Sequence, residues 1–282
     1  MKYIGDEVCF FIERECVMKR SLMAFAVLFT LTFFAVTAFA QLAPPKIGAK
    51  ETGSHSIAYL ETGEVLYNMN WTCTRSETDP NVYTIVTKGE NNEKGAAKVQ
   101  WTEKVIFAVL PEGLQVQSWF KKSTGAEDET WDMKFDWAST KIDYNWADAL
   151  SGKSKKKAID FSGTLFAGDS MLFVFRGFPF SKGKGAKITG QLLDPSGMVI
   201  GGDVLFMGEE NLTTAFGQVA AYKVELKPSS FFLGMIAPTT YMWFTKAAPH
   251  IWLRTEGRDN GMTNPKTKNV LKSYKSSDFS IQ

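Results

Sequence analysis

From Tyr67 onward the chain alternates. Tyr67, Met69, Trp71 and Cys73 are apolar, and Asn68, Asn70 and Thr72 separate them. Tyr83, Ile85 and Thr87 resume the pattern after the turn Asp79-Pro80-Asn81. Val99 and Trp101 lead into Val105–Leu110, and Leu114, Val116, Ser118 and Phe120 follow the turn at 111–113. A period of two predicts strands with one face buried. The intervening Gly, Pro, Asn and Asp supply the backbone angles of turns. Such short links join antiparallel neighbours, because a parallel crossover needs a dozen or more residues.

The densest alternation is Glu129–Trp146, "ETWDMKFDWASTKIDYNW". Trp131, Met133, Phe135 and Trp137 share one face, as do Ile142, Tyr144 and Trp146, and 138–141 predicts the bend. A second hairpin is expected next, with 151–157, "SGKSKKK", as its loop and Ile159 and Phe161 on the return. "GDSMLFVFRGFPF" breaks the alternation with a continuous apolar run. It predicts a short helix, with Asp169 or Ser170 as cap and Gly177 and Pro179 as stop. A buried strand fits the same run. Strands then return at 188–193, 198–207 and 211–228, and 239–257 forms a last hairpin bent at Ala247-Ala248-Pro249. Val270-Leu271 suggests an added edge strand.

The first 40 residues read differently. Met18-Lys19-Arg20 precedes an uncharged run, Leu22–Val36, and Ala38-Phe39-Ala40 has the form of a cleavage site. This is the layout of a secretory signal peptide. Residues 1–17 look like an upstream extension, with Met18 as the start. The expected organisation is therefore a signal peptide with that extension (1–40), an N-terminal linker (41–60), an antiparallel β-barrel or half-barrel (61–272) and a polar tail (273–282). The fold class is mainly β, a single curved antiparallel sheet with one short helix.

Composition narrows the function. The net charge is +2, too mild for a dedicated nucleic-acid binder. Cys73 is the only cysteine after residue 40 and reads as a buried small apolar residue. The two histidines, His55 and His250, have no Asp or Glu at metal-ligand spacing. No nucleophile elbow or phosphate loop occurs. Glu209-Glu210 and Asp128-Glu129 are adjacent carboxylates, which on a strand point to opposite faces. No catalytic residue, metal or cofactor is expected. Lys153, Lys155, Lys156 and Lys157 suit a solvated loop, or contact with anionic headgroups.

Two features remain as candidate ligand residues. Arg176 lies within the apolar run and needs a partner. It is read as a clamp tying the helix to the sheet, with Asp169 two helical turns away, or as a fixed charge at a cavity mouth. The aromatic face of Trp131, Phe135, Trp137, Tyr144 and Trp146 admits three readings: core, an apolar slot, or a sugar platform.

The second half resembles a secreted bacterial family of unknown function. The resemblance is carried by "GDSMLFVFRGFPFSKG", "GEENLTTAFGQVAAYKVEL" and "YMWFTKAAPHIWLRTE" in that order. It spans about residues 60–272, most securely 166–256. It implies a curved antiparallel half-barrel with a short helix, similar to periplasmic lipoprotein carriers, and no established activity. The expectation is an exported, non-enzymatic envelope protein, periplasmic or extracellular, that binds a lipid, an acyl chain or a lipoprotein partner on a concave sheet. The alternatives are a glycan-acting enzyme using carboxylates, or an assembly factor that pairs through a sheet edge.

Overall fold

The structure is a computed structural model. It describes residues 41–92, 95–229, 239–258 and 265–281; the expected signal peptide lies outside them. Among them, no helix is long and apolar enough to cross a membrane.

Among the described residues, fifteen strands form one sheet. The first eight are β1 (Lys50–Tyr59), β2 (Val65–Arg75), β3 (Val82–Asn91), β4 (Val99–Leu110), β5 (Gly113–Gly125), β6 (Glu129–Asp136), β7 (Lys141–Asp148) and β8 (Lys153–Asp160). The rest are β9 (Leu165–Ala167), β10 (Lys187–Leu193), β11 (Val199–Thr214), β12 (Gly217–Pro228), β13 (Thr240–Thr245), β14 (Trp252–Arg258) and β15 (Lys266–Ser276). The order runs β8 to β1, then β15 to β9. Each half is a meander of sequential neighbours, as the short turns require. The pairing of β1 with β15 joins the halves, and among the described strands only β9–β10 is parallel. The edges β8 and β9 do not pair with each other, so the sheet is not closed.

Three expectations change here. Residues 50–59, expected within a linker, form a strand in the middle of the sheet, because His55 and Ser56 are buried between β2 and β15. Val270 and Leu271 sit in that same central seam rather than on an edge. The lysine run is not a loop. It lies on β8, whose outer edge is unpaired, and charged side chains there discourage another strand from adding on.

The non-sheet segment after β9 is a plug. A 3-10 turn (Gly168–Ser170), one short α-helix, α1 (Met171–Val174), and further 3-10 turns at Phe175–Gly177 and Phe180–Lys182 follow one another. Phe173 and Phe175 are fully buried. Phe173 meets Trp71 and Phe107, and Phe175 meets Phe166 and Phe244. Rings from both halves thus close over the plug, which explains the unbroken apolar run: a segment enclosed on all sides has no polar face to present.

Candidate functional site

Cross-strand pairing arranges the concave face in rows. One row runs Cys73, Ile85, Val105, Trp119, Met133, Tyr144 across β2–β7. All six are buried, Tyr144 at 3% exposure. Burial pushes the Cys73 thiol pKa up, so its reactive thiolate form is disfavoured. The neighbouring row runs Trp71, Thr87, Glu103, Lys121, Trp131, Trp146. Here burial fades along the row. Trp71, Thr87 and Glu103 are buried, whereas Lys121, Trp131 and Trp146 are partly exposed. The concave face is therefore not uniformly apolar, since this row puts a hydroxyl, a carboxyl and an ammonium among the tryptophans.

The buried end of this row meets the start of the plug. The Asp169 backbone N–H donates to Glu103 Oε1 at 3.2 Å, and Thr87 Oγ1 donates to Asp169 Oδ2. Asp169 is partly exposed, and Glu103 is 8% exposed. Burial, then the Asp169 charge, pushes the Glu103 pKa up to about 8. His55, 3% exposed, has neither ring nitrogen hydrogen-bonded. Its ring packs edge-on against Trp252, and burial lowers its pKa against an opposing pull from Asp169. Asp169 makes no side-chain cap for the plug helix. Its carboxylate turns to β3 instead.

The half-exposed end is aromatic. Trp131 and Trp146 pair directly across β6 and β7. Lys121 Nζ stands 5.3 Å from the Trp101 ring centroid and 5.4 Å from that of Trp131, in cation–π geometry. Trp101 lies flat on Gly89: a Cβ there would fall 2.2 Å from Trp101 Cζ2. A side chain at residue 89 would lift the ring off the sheet.

The six candidate residues divide into four groups. Trp131, Phe135 and Trp146 lie on the concave face, partly buried against the core. Tyr144 shares that face but is covered by the β10–β11 turn. Gly197, at φ +74°, comes so close that a Cβ would sit 2.8 Å from Tyr144 Cδ2, and Lys157 Nζ ties the turn down by donating to Gly197 O at 2.7 Å. Trp137 lies beyond the end of β6, where its indole N–H donates to Val116 O at 2.7 Å and its ring meets Phe161 edge-on. Arg176 is elsewhere, within the enclosed core. It makes a bidentate pair with Glu51, at 2.9 Å and 2.8 Å, and also donates to Lys46 O at 3.3 Å. Gly48 N–H and Tyr274 O–H complete the Glu51 carboxylate. This is the clamp geometry, with Glu51 on β1 as partner rather than Asp169.

Sequence reasoning missed Glu51, Glu103 and the role of Asp169. Glu103 sits at an inward position of β4, in phase with Trp101 and Val105. A charge in phase with an apolar alternation was the available signal. On the other face of the same strands lies a solvated cleft of about 570 Å³, lined by Asn68, Asn70, Lys88, Gln100 and Lys122 among others. None of the six candidate residues borders it. Among the described residues, no three His, Cys, Asp or Glu side chains gather in a way that could hold a metal.

A long open β-sheet curled around one short helical plug defines the class of this protein. The chain belongs to the DUF3108 family of proteins of unknown function, whose family model matches residues 54–261. It is similar in structure to a β-barrel-like DUF1849 protein of Brucella abortus, with TM-score 0.54 and 11% identity over 85% of this chain and 100% of the other. That likeness is one of fold. Weaker likenesses are to an exported protein with a YmcC-like fold from Bacteroides fragilis (TM-score 0.37, 9% identity, 84% and 100% covered) and to a protein from Parabacteroides distasonis described as a lipoprotein (TM-score 0.30, 14% identity, 84% and 99% covered). No curated protein matches the chain.

Proposed function

We propose that this protein is exported to the cell envelope and there binds, without transforming it, a ligand carrying an apolar chain. The ligand seat is the half-exposed aromatic end of the concave face, at Trp131 and Trp146. The observation that carries this reading is the gradient of burial along one row. The plug and the β10–β11 turn cover most of the concave face, yet Trp131 and Trp146 stay partly open beside buried Met133 and Tyr144. Large apolar side chains left open next to a closed core mark binding surfaces on soluble proteins. Export rests on the leader-like sequence of residues 18–40.

The test is uptake of a fluorescent long-chain fatty acid by the protein beginning at Gln41. Saturable uptake is expected, weakened about tenfold or more by Trp131→Ala together with Trp146→Ala. An absence of uptake across several lipid classes overturns the reading.

A second reading, glycan hydrolysis by a carboxyl pair, draws support from Glu103 and Asp169. A raised carboxyl beside a second carboxylate is the arrangement such chemistry uses. Release of reducing ends from envelope glycans, abolished by Glu103→Gln, would favour it.

A further inference from the structure

The lysine run of β8 has no part in the ligand seat. Lys153, Lys155 and Lys156 are exposed on a free edge of the sheet. Lys153 stands opposite Asp148. Lys155 and Lys156 stand opposite Trp146 and Asn145, and among the described residues neither ammonium has a hydrogen bond or an ion pair. The other acids of β7 and β8 lie further along, Asp143 opposite Ala158 and Asp160 opposite Lys141, so the middle of the edge is left positive. Lys157 is committed to the fold, since it donates to Gly197 O and lies over the Tyr144 ring.

Guarding an edge against strand addition accounts for these charges. It does not account for the apolar side chains beside them. The two most exposed large apolar side chains among the described residues both lie here. Leu150, 65% exposed, is in the turn that leads into β8. Met198, 51% exposed, follows Gly197, to which Lys157 is tied. A single exposed apolar residue is ordinary, but this pair stands at the two ends of the lysine run.

We propose that the β8 edge docks this protein on an anionic lipid surface, with Lys153, Lys155 and Lys156 toward the headgroups and Leu150 and Met198 entering the interface. The inference does not rest on the apolar-chain reading, although the seat at Trp146 adjoins this edge. Lysines near such a surface are drawn to it within about a Debye length. The whole-chain charge of +2 is too small for diffuse attraction, so a local cluster has to supply it. Apolar side chains beside the cluster add burial, which salt does not screen. A soluble polyanion would engage the lysines and leave Leu150 and Met198 in water, and on that ground a membrane is the better fit.

The experiment sediments the protein beginning at Gln41 with vesicles of phosphatidylcholine, alone or with about one-third phosphatidylglycerol, at low and at physiological salt. Sedimentation without vesicles is subtracted. Binding to the anionic vesicles is expected to be at least about tenfold tighter than to phosphatidylcholine, and tighter at low salt. Lys155→Gln with Lys156→Gln should weaken it about tenfold. Leu150→Ser with Met198→Ser should weaken it about fivefold at either salt. Lys272→Gln with Lys275→Gln removes the same charge from exposed positions on β15, eight strands away, and should change binding by less than about twofold. Equal binding to the two kinds of vesicle, or an equal loss from the β8 and β15 pairs, overturns the docking edge. Binding left unchanged by Leu150→Ser with Met198→Ser overturns the membrane partner in favour of a soluble polyanion, for which dextran sulfate as a competitor is the probe.

Discussion

Two buried polar sites lie on the inner side of this sheet, and they are built on opposite plans. Around Arg176, a guanidinium and the Glu51 carboxylate neutralise each other, and Gly48, Lys46 and Tyr274 take up further hydrogen bonds. Around Glu103, the Asp169 backbone N–H is the hydrogen-bond partner, the Asp169 charge opposes ionisation of Glu103, and both nitrogens of buried His55 lack a partner. The first arrangement fixes geometry, since it joins β1, β15 and the plug at one point. The second sets a buried carboxyl against another acidic charge inside the protein. Buried polar groups without internal partners are costly. Such groups occur at both sites, since Arg176 Nε and both His55 nitrogens lack a protein partner, so the contrast between the sites lies in charge.

The largest effect that would break this comparison is at the charge-paired site. Arg176→Met leaves Glu51 as a buried, unpaired charge and should cost about 3–5 kcal/mol, read by chemical denaturation. Arg176→Met with Glu51→Leu should cost clearly less than Arg176→Met alone. A double variant worse than the single would show that the pair contributes more than mutual neutralisation.

The Glu103 site should declare itself through pH. The folded pKa of Glu103 lies above its unfolded value, so from about pH 4.3 to about 8 the folded chain holds a proton that the unfolded chain has released. Stability contributed by that proton is lost as pH rises through this window, at up to about 1.4 kcal/mol per unit. His55 acts in reverse. Its folded pKa is depressed, so stability falls as pH drops below about 6.5, where the unfolded ring takes a proton that the folded ring resists. The two slopes offset below about pH 6.5, and a net decline is expected from there to about 8. Glu103→Gln should flatten that decline, so that the variant loses about 2 kcal/mol less than the wild type between about pH 6.5 and 8. A pH-independent wild type over that range would contradict the buried, protonated Glu103.

The smallest effect sharpens the contrast. His55→Leu removes ring nitrogens that bond to nothing and should change stability by no more than about 1 kcal/mol at neutral pH. It should also remove the destabilisation below about pH 6.5. A loss of several kcal/mol would reveal a partner for His55 that the geometry lacks.

The strand pattern was legible because a half-buried strand writes its burial as alternation. Trp131–Phe135 and Ile142–Trp146 reappear as β6 and β7 with the bend between them. Three things did not show. The position of β1 was hidden because "KETGSHSIAY" lacks apolar alternation; its inward residues are Glu51, Gly53 and His55. The partner of Arg176 was hidden because Glu51 is 125 residues away, and a local helix argument pointed to Asp169. The polar cluster was hidden because its members come from β1, β3, β4 and the plug, which only the sheet's curvature brings together. Inward aromatic positions could be read from sequence; which of them the plug and the β10–β11 turn would cover could not, and Tyr144 and Trp146 differ for that reason.

The seam between β1 and β15 has a consequence for how the molecule comes into being. The first and last strands of the sheet are neighbours at its centre. Until residues 266–276 are available, β1 and β14 are both open edges, and the chain is two unfinished meanders. Contacts that join the far ends of a sequence make folding slow, so the sheet stays incomplete until its last strand arrives. A truncation before Lys266 would therefore do more than shorten the protein. It would expose two long edges where there had been a seam, and exposed edges invite aggregation.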